Sequence, residues 1–441
     1  MDPRQRLLAE FEAAKHDLQR GDAEAARLRL APLAPLLREL PPAELAQRRF
    51  SQLGFTVAIA AGDVALGEEL NLLTIPDNPY RRPLVISPAA TLGEWCRRAG
   101  VPYVQPEAPR EVVIAPTKYT QGYTYTTEPV EYAVIPQGII AGGWDYVIAP
   151  DGTVLVDTSY QKPTNTMAPY GHVYAPMFGQ IMHHMPEKEE TVAGDMIRLS
   201  APHALHFGHW LVDFLPRLRA LDFLSDTSTK VAVPYDLPAK FREMLARWGL
   251  SEDRLFLCRR DTVYRFERLH VVRPGESLPP NPTHVTYVRE RLYTPAPPTR
   301  KGHGVKIYAA RGGGLSRTID NWPEIQAFLD EEGIVEVDFA PLSIEDQRAL
   351  LADAEVLLGV FGSNLFALYF APATCTMITI LPEGLDDPCM PHTCALLGMG
   401  HQHLICPATN AGTWQQLKNT QFSVDIDSLR MRLRELEAAR T

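Results

Sequence analysis

Two residues in the stretch from His203 to Leu218 have the types and spacing that general acid–base chemistry uses. His209 and Asp213 are four positions apart, so a helix would place both side chains on one face. A carboxylate in that position can orient the imidazole, or can itself act as a general base toward an incoming hydroxyl. The alternative is a polar pair at the buried start of a helix.

Two further histidines, His203 and His206, precede this pair at intervals of three residues. Three regularly spaced histidines raise the possibility of a metal site. His203 and His209 are six positions apart, however, which rotates them off a common helical face, and the stretch offers no further carboxylate ligand. We therefore predict no metal site here.

A second stretch combines a predicted strand at 305–310, a glycine-rich loop at 312–314 and the start of a helix near Asn321. Loop amides and a helix N-terminus attract negative charge, and the guanidinium groups of Arg311 and Arg317 suit phosphate oxygens. These features predict a binding site for a diphosphate. The alternative is a basic loop that faces solvent.

Two other nucleotide motifs fit this second stretch less well. Glu336 and Asp338 on the next strand would suit a nicotinamide-binding fold, but Arg317 stands where that fingerprint needs its last glycine. The sequence Gly-Lys-Ser/Thr of a P-loop does not follow the loop.

A third stretch begins where the predicted strand 355–360 ends. Gly362 permits a tight turn, and Ser363 or Asn364 can cap the helix that follows. The Gly-x-Ser-x-Gly pattern of a serine hydrolase is absent around Ser363. Glu383 follows the next strand and is a candidate for binding ligand hydroxyl groups, unless it is a solvated loop residue.

The elements that must position these residues fall into three regions. Two helical hairpins, at 3–37 and 42–73, resemble tetratricopeptide units and predict a helical region over residues 1–75. Short strands between 131 and 158 predict a small antiparallel β-meander, separate from a Rossmann unit. We assign residues 76–290 to this meander and a first Rossmann-like domain.

From about residue 194 strands and helices alternate, as parallel sheets covered on both faces require. In the first of these runs a helix is predicted over 208–223. The proline-rich span 274–300 predicts a crossover, and a cleaner alternation of strands and helices follows it. Residues 291–441 are therefore predicted as a second Rossmann-like domain with a C-terminal helix. The predicted fold class is α/β, with ligands at the carboxyl ends of the strands.

Composition limits the classes of function. The chain has 441 residues, 45% of them apolar, and a formal net charge of -10, which argues against nucleic-acid binding. The N-terminus lacks the apolar region of a signal peptide, and the apolar span 356–382 reads as strand–helix–strand. Six cysteines without a Cys-x-x-Cys pair indicate reduced thiols. We expect a cytoplasmic protein, either soluble or peripheral to the inner membrane face.

Taken in order, the three stretches resemble glycosyltransferase family 61. The run from His209 to Leu218 is similar to the family's HWL-x-[DE]-x-LPRL helix, and the second stretch is similar to its Y-x-S-R…R…NE segment through Tyr308, Arg311, Arg317, Asn321 and Glu324. The run from Gly359 to Pro372 is similar to its third motif, except that Phe361 stands where the family usually has His. The resemblance covers about residues 195–385.

The resemblance implies two facing Rossmann-like domains of the GT-B type and inversion at the anomeric carbon. Under it, residues 76–290 contain the acceptor-side domain and residues 291–441 are the nucleotide-sugar-binding domain. It implies that the enzyme needs no metal and no cofactor. The co-substrate would be a nucleotide sugar, with a UDP-sugar favoured, and the transferred group would be a hexosyl or pentosyl group. Under it, Asp213 oriented by His209 would be the base. The donor would be bound by Tyr308, Arg311, Arg317, Asn321, Gly362, Ser363, Asn364 and Glu383.

The acceptor implied by the family is a glycan or lipid-linked sugar of surface polysaccharide or lipopolysaccharide synthesis. The helical N-terminus adds three alternatives, which are a protein acceptor, another protein partner and a homo-oligomer. Phe361 keeps a non-catalytic pseudo-glycosyltransferase as the main alternative. A sugar-nucleotide epimerase or dehydrogenase is disfavoured by the broken glycine fingerprint.

Overall fold

The chain folds as a mixed α/β protein with two sheets that contain parallel strands. The computed structural model describes residues 3–30, 32–33, 57–58, 61, 85–141, 146–159, 173–174, 180–183, 185–225, 228–273, 280–294, 304–311, 317–385, 388–408 and 420–439. Within these ranges no helix is both long enough and apolar enough to cross a membrane.

Two helices open the chain, α1 (Pro3–Gln19) and α2 (Ala23–Leu30). Gly21 has φ of 82°, and the Asp22 carboxylate accepts a hydrogen bond of 2.9 Å from the amide of Ala25. Gly21 therefore ends α1 in a left-handed conformation, and Asp22 is the N-cap of α2. Apart from residues 57–58 and 61, the second hairpin at 42–73 lies outside the described residues, so the tetratricopeptide-like assignment stays a prediction.

Thirteen strands precede residue 274 in the described part of the chain. They are β1 (Val85–Ala90), β2 (Tyr103–Glu107), β3 (Glu111–Ile114), β4 (Tyr123–Thr126), β5 (Val130–Ala141), β6 (Val147–Ile148), β7 (Val154–Leu155), β8 (Val173–Tyr174), β9 (Gln180–His183), β10 (Lys188–Arg198), β11 (Lys230–Pro234), β12 (Leu255–Cys258) and β13 (Thr262–Arg273). Strands β3 and β4 form a separate hairpin, and the others form one 11-stranded sheet. Helix α3 (Leu92–Ala99) begins with a capping box between Thr91 and Glu94.

The predicted antiparallel meander is present, because β5, β6 and β7 pair antiparallel in succession, but it is part of this large sheet and not separate from it. Strand β5 is one continuous strand through Pro136 and pairs antiparallel with β13 along most of its length. Strand β13 is not predicted from the sequence, and the residues of β5 are predicted as two short strands.

The parallel part of the first sheet has the order β12-β11-β10-β13, so the chain reverses its direction of winding between β10 and β13. In such sheets ligands bind outside the carboxyl ends of the strands at this switch point. The segment that leaves β10 at its carboxyl end contains His203, His209 and Asp213.

That segment is not the continuous α-helix predicted over 208–223. A single turn of α-helix, α4 (Phe207–His209), leads into a π-helical segment (Trp210–Phe214) and then a 3₁₀ segment (Leu215–Phe223). Pro216 explains the break, because proline lacks the N–H that an α-helix would use at that position. π-helical turns in proteins often occur at functional sites.

Within the first sheet, helix α5 (Ala239–Ala246) lies between β11 and β12. The connection between the two sheets contains a helix that was not predicted, because α6 (Pro282–Leu292) lies inside the proline-rich span expected to be a crossover. Pro282 occupies the first turn of α6, where a missing N–H costs nothing, and Asn281 caps the helix. The domain boundary predicted at 290/291 therefore falls within a helix.

The second sheet consists of five parallel strands in the order β16-β14-β17-β18-β19. These are β14 (Val305–Ala309), β16 (Val335–Val337), β17 (Ala354–Val360), β18 (Thr376–Pro382) and β19 (Gly400–Cys406), and a small parallel pair is formed by β15 (Thr318–Ile319) and β20 (Gln421–Phe422). The helices are α7 (Trp322–Glu331), α8 (Ile344–Leu351), a 3₁₀ helix (Ser363–Phe370), α9 (Cys389–Leu396) and α10 (Ile426–Ala438). As predicted, Ser343 caps α8 by accepting from the amide of Asp346.

One apolar cluster runs through both sheets. It contains Ile197 and Val231 from the first sheet together with Ile307 and Leu357 from the second, all with at most 1% of their surface exposed. The two sheets therefore hold each other in place, and the segments at their carboxyl ends have fixed positions relative to one another.

Candidate functional site

A pocket of about 270 Å³ lies at the carboxyl edge of the second sheet. Its walls include residues that directly follow β14, β16 and β17, among them Arg311, Asp338 and Ser363. Because β14 is the first strand of this sheet and lies between β16 and β17, the chain reverses its winding between β14 and β17. The pocket is therefore at the switch point where such sheets bind ligands.

The two arginines predicted to bind phosphate both line this pocket. Arg311 donates a hydrogen bond of 2.8 Å from Nη1 to the carbonyl oxygen of Phe361, and burial lowers the pKa of Arg311. The guanidinium of Arg317 lies 5.4 Å from the centre of the Phe361 ring. The glycine-rich loop between them, residues 312–316, lies outside the described residues.

Arg317 has an unusual backbone, with φ of 63°. A non-glycine residue in this left-handed region carries a strain of roughly 1 kcal/mol or more, and such strain is concentrated at binding and catalytic sites. The backbone conformation of Arg317 is therefore a second indication, besides its charge, that this residue belongs to a binding site.

Ser363 and Asn364 form the wall on the β17 side. Asn364 donates from Nδ2 to the carbonyl oxygens of Ala309 at 2.9 Å and Ala310 at 3.2 Å, which ties the ends of β14 and β17 together. Gly362 lies behind this wall, where an added Cβ atom would be 3.0 Å from Oδ1 of Asn364 and 3.2 Å from Nη1 of Arg311. A larger residue there would require one of these two side chains to shift.

Among the pocket residues that sequence reasoning missed are four with large side chains. Phe207 on α4 and Lys240 on α5 come from the first sheet's side, and Phe339 and Gln347 come from the second. Lys240 donates a hydrogen bond of 3.0 Å from Nζ to the carbonyl oxygen of Ala340, and its burial lowers its pKa. The Lys240 ammonium also lies 5.4 Å from the ring centre of Phe207.

The charge of the pocket follows from this set. Arg311, Arg317 and Lys240 are cationic, and Asp338 is the acidic residue of the lining. The site therefore favours an anionic ligand, and the lysine adds a third positive charge that the sequence analysis did not foresee.

His209 and Asp213 form the pair that their spacing predicts, with 2.7 Å between Nδ1 and Oδ2. The Asp213 side chain is 1% exposed, whereas the His209 side chain is 37% exposed. The backbone carbonyl of Asp213 also accepts a hydrogen bond of 3.0 Å from Nε of Arg217. The expectation that Asp213 meets a ligand directly is not supported by this burial, and His209 is the accessible member of the pair.

Close packing connects this pair to the pocket. A Cβ atom on Gly208, the residue before His209, would lie 2.8 Å from Phe366 and 3.5 Å from the Ser363 hydroxyl oxygen. The start of α4 therefore lies against the 3₁₀ helix at the end of β17, next to the pocket wall.

The three histidine rings lie near one another, with centroids 5.5 to 6.0 Å apart for His203, His206 and His209. Across the part of the chain that the structure describes, no group of three or more His, Cys, Asp or Glu residues is arranged to hold a metal ion.

Four predicted binding residues, Gly362 among them, are not part of the pocket's lining. Tyr308 is 3% exposed and packs in the apolar cluster on the other face of β14, with its ring 5.6 Å from Trp322. Asn321 is bonded to the backbone of Val424 through its Nδ2 and Oδ1 atoms, which fastens the start of α7. Glu383 is exposed beyond β18, at the same edge of the sheet.

Residues 207–378 match the family model described as Glycosyltransferase 61. The matched segment contains the His209–Asp213 pair and every residue of the pocket lining. No curated protein matches the chain.

Proposed function

We propose that this chain, whose residues 207–378 match the family model described as Glycosyltransferase 61, moves a sugar from a nucleotide-sugar donor to a hydroxyl acceptor. Three cations gathered at the switch point of a parallel sheet support this proposal more than any other observation. A sugar nucleotide carries its negative charge on two linked phosphates, and the departing diphosphate must be stabilised as the glycosidic bond breaks.

Arg311 and Arg317 are proposed to bind that diphosphate, with Lys240 approaching it from the first sheet's side. The start of the 3₁₀ helix at Ser363 and Asn364 adds polar groups beside them. With this much fixed positive charge the leaving group needs no metal ion, and we propose metal-independent transfer without a cofactor. The two sheets would then act as the two halves of a GT-B enzyme.

We propose that His209 is the general base and that Asp213 is its positioning partner, the reverse of the roles expected from the sequence. Nδ1 of His209 is bonded to the Asp213 carboxylate, and Nε2 is the ring nitrogen that we propose takes the proton of the acceptor. The acceptor oxygen would form a bond to the anomeric carbon while its proton passes to Nε2. The bond from that carbon to the diphosphate oxygen breaks on the opposite side, so that the configuration inverts.

The setting is proposed from the family alone. Synthesis of surface polysaccharide or lipopolysaccharide in the cytoplasm, with a hexosyl or pentosyl donor, is the role that we favour, and a protein acceptor is the second candidate. Phe361 in place of the family's usual His motivates the competing proposal of a pseudo-glycosyltransferase that binds without catalysis.

One experiment tests the proposal and separates it from this competitor. Nucleoside diphosphates are titrated into the protein by calorimetry, and release of sugar from UDP-, GDP-, CMP- and dTDP-sugars is measured in parallel. We expect Arg317→Ala to weaken binding of the recognised diphosphate by about 10- to 100-fold, as for the loss of a charge-assisted hydrogen bond. The control is Arg430→Ala, because Arg430 pairs with Glu331 on α7 and does not line the pocket. Equal affinity in the Arg317 variant and the wild type would refute the phosphate site, and binding without any turnover would favour the pseudo-enzyme.

A further inference from the structure

Gln347 is a buried side chain in the pocket, and its carboxamide oxygen has no hydrogen-bond donor in the described part of the chain. It is 0% exposed, lies on α8 and lines the pocket. Its Nε2 atom donates to the carbonyl oxygens of Phe339 at 3.0 Å and Leu342 at 3.2 Å. Its Oε1 atom has no hydrogen-bond partner among the described residues.

The two backbone bonds fix which end of the amide is which. If the amide were rotated by half a turn, Oε1 would face two carbonyl oxygens, and none of the three atoms could donate. The oxygen is therefore held as an acceptor, and a buried acceptor without a donor is costly enough to be rare in folded proteins. A ligand that supplies an N–H or O–H group would satisfy it.

The order of strands places Gln347 at one end of the site. Its partner Phe339 follows β16, Arg311 follows β14, and Ser363 follows β17. Adjacent strands are about 4.8 Å apart, so the β16 and β17 ends of the site are roughly 10 Å apart. Since Gly208, next to His209, lies against Ser363, the reacting end of a ligand belongs on the β17 side. The β16 side is left for the part of a nucleotide beyond its phosphates.

Resting on the proposed function, we propose that Gln347 selects the nucleobase of the donor. Its Oε1 accepts a hydrogen bond from a ring N–H on the pairing edge of the base, a group that uracil, thymine and guanine carry and that cytosine and adenine lack. The aromatic side chains of Phe207 and Phe339 line the same pocket and offer apolar surface to a planar base. The donor is accordingly a nucleotide sugar whose base belongs to the first group.

The test uses nucleotides in which a methyl group replaces that ring hydrogen. UDP is compared with 3-methyl-UDP, and GDP with 1-methyl-GDP, by calorimetry on the full chain. For the nucleotide that binds, we expect methylation to weaken wild-type binding by about 10- to 100-fold, since it leaves Oε1 unsatisfied and adds bulk. In Gln347→Met the difference between the two nucleotides should fall below about 3-fold.

Gln402→Met is the matched control. Gln402 on β19 is also a buried glutamine whose Oε1 lacks a hydrogen-bond partner among the described residues, but it does not line the pocket. Loss of stability alone would weaken both nucleotides alike in either variant, so only the affinity ratio reports on base reading. The control should keep the wild-type ratio.

Three results would overturn the inference, and they differ in what else they affect. If the wild type binds the methylated and unmethylated nucleotides equally, while Arg317→Ala still weakens both, the base-reading role fails and the phosphate site remains. If Gln347→Met changes the affinity for a nucleotide sugar but not for the free diphosphate, the oxygen contacts the sugar. If no nucleoside diphosphate binds at all, the proposed function fails as well.

Discussion

Replacing Gly208 with alanine tests whether the contact between α4 and the 3₁₀ helix positions the reacting groups. An added Cβ atom would lie 2.8 Å from Cδ2 and 2.9 Å from Cε2 of the Phe366 ring. Both distances are well inside van der Waals contact, and Phe366 is 8% exposed within the shared apolar cluster. Either the ring or the start of α4 must therefore move.

The size of the effect follows from two opposing contributions. Overpacking of a core position costs about 1–3 kcal/mol, while alanine in place of glycine within a helix gains roughly 0.5–1 kcal/mol. We expect a net loss of about 1–2 kcal/mol in the free energy of unfolding. Because His209 is the next residue, a shift approaching 1 Å would also reduce the transfer rate by up to about 10²-fold.

The assay combines urea unfolding with single-turnover transfer, and a double-mutant cycle with Phe366→Leu assigns the cause. A smaller side chain at position 366 should make room for the new methyl group, so the two changes should couple favourably in both measurements. Gly93→Ala in α3 is the control, because its Cβ would meet only the end of the Tyr103 side chain. Normal turnover in Gly208→Ala, or strict additivity with Phe366→Leu, would refute the reasoning.

Two further predictions concern protonation. Asp213→Asn should lower the transfer rate by about 10²- to 10⁴-fold without changing diphosphate affinity. Adding His209→Gln to this variant should lower the rate little further, since the pair acts as a unit. Effects of the two substitutions that multiply in single-turnover kinetics would contradict this prediction. Burial lowers the pKa of His284 to about 3. The unfolded chain takes up this proton near pH 6.5, so His284 should reduce stability progressively as pH falls from about 6.5 toward 3, by several kcal/mol at most. Comparing His284→Gln with the wild type in urea titrations at pH 7 and pH 5 isolates this contribution, and an equal pH dependence of the two would contradict it.

The pocket residues that the sequence predicts are those that follow closely after the end of a β-strand. Arg311, Ser363 and Asn364 directly follow β14 and β17, and parallel strands bring their carboxyl ends to one edge. Side chains alternate along a strand, however, and Tyr308 points to the face opposite to that of Ile307 and Ala309. This parity explains why a residue three positions from Arg311 is buried in a different cluster.

The remaining residues of the site depend on tertiary packing. Lys240 and Gln347 lie on helices, and which of their faces meets the pocket is determined by how α5 and α8 pack against the sheets. The π-helical turn that buries Asp213 is likewise set by Pro216 and the surrounding core. Periodicity in the sequence predicts the pairing of His209 with Asp213 but not which member is accessible.

The substitution at Phe361 bears on whether this chain retains catalysis. A phenylalanine cannot supply the hydrogen bond that a histidine there could offer to a phosphate. Its backbone oxygen nevertheless binds Arg311, and its ring lies beneath the guanidinium of Arg317. Since position 361 supports two cations through contacts that need no imidazole, and Lys240 contributes a third charge, losing the histidine does not remove the basis for binding a diphosphate. The same reasoning predicts that Phe361→Ala, which removes the surface beneath Arg317, should weaken diphosphate binding more than Phe361→His, and the reverse order of affinities would mean that the aromatic contact is incidental.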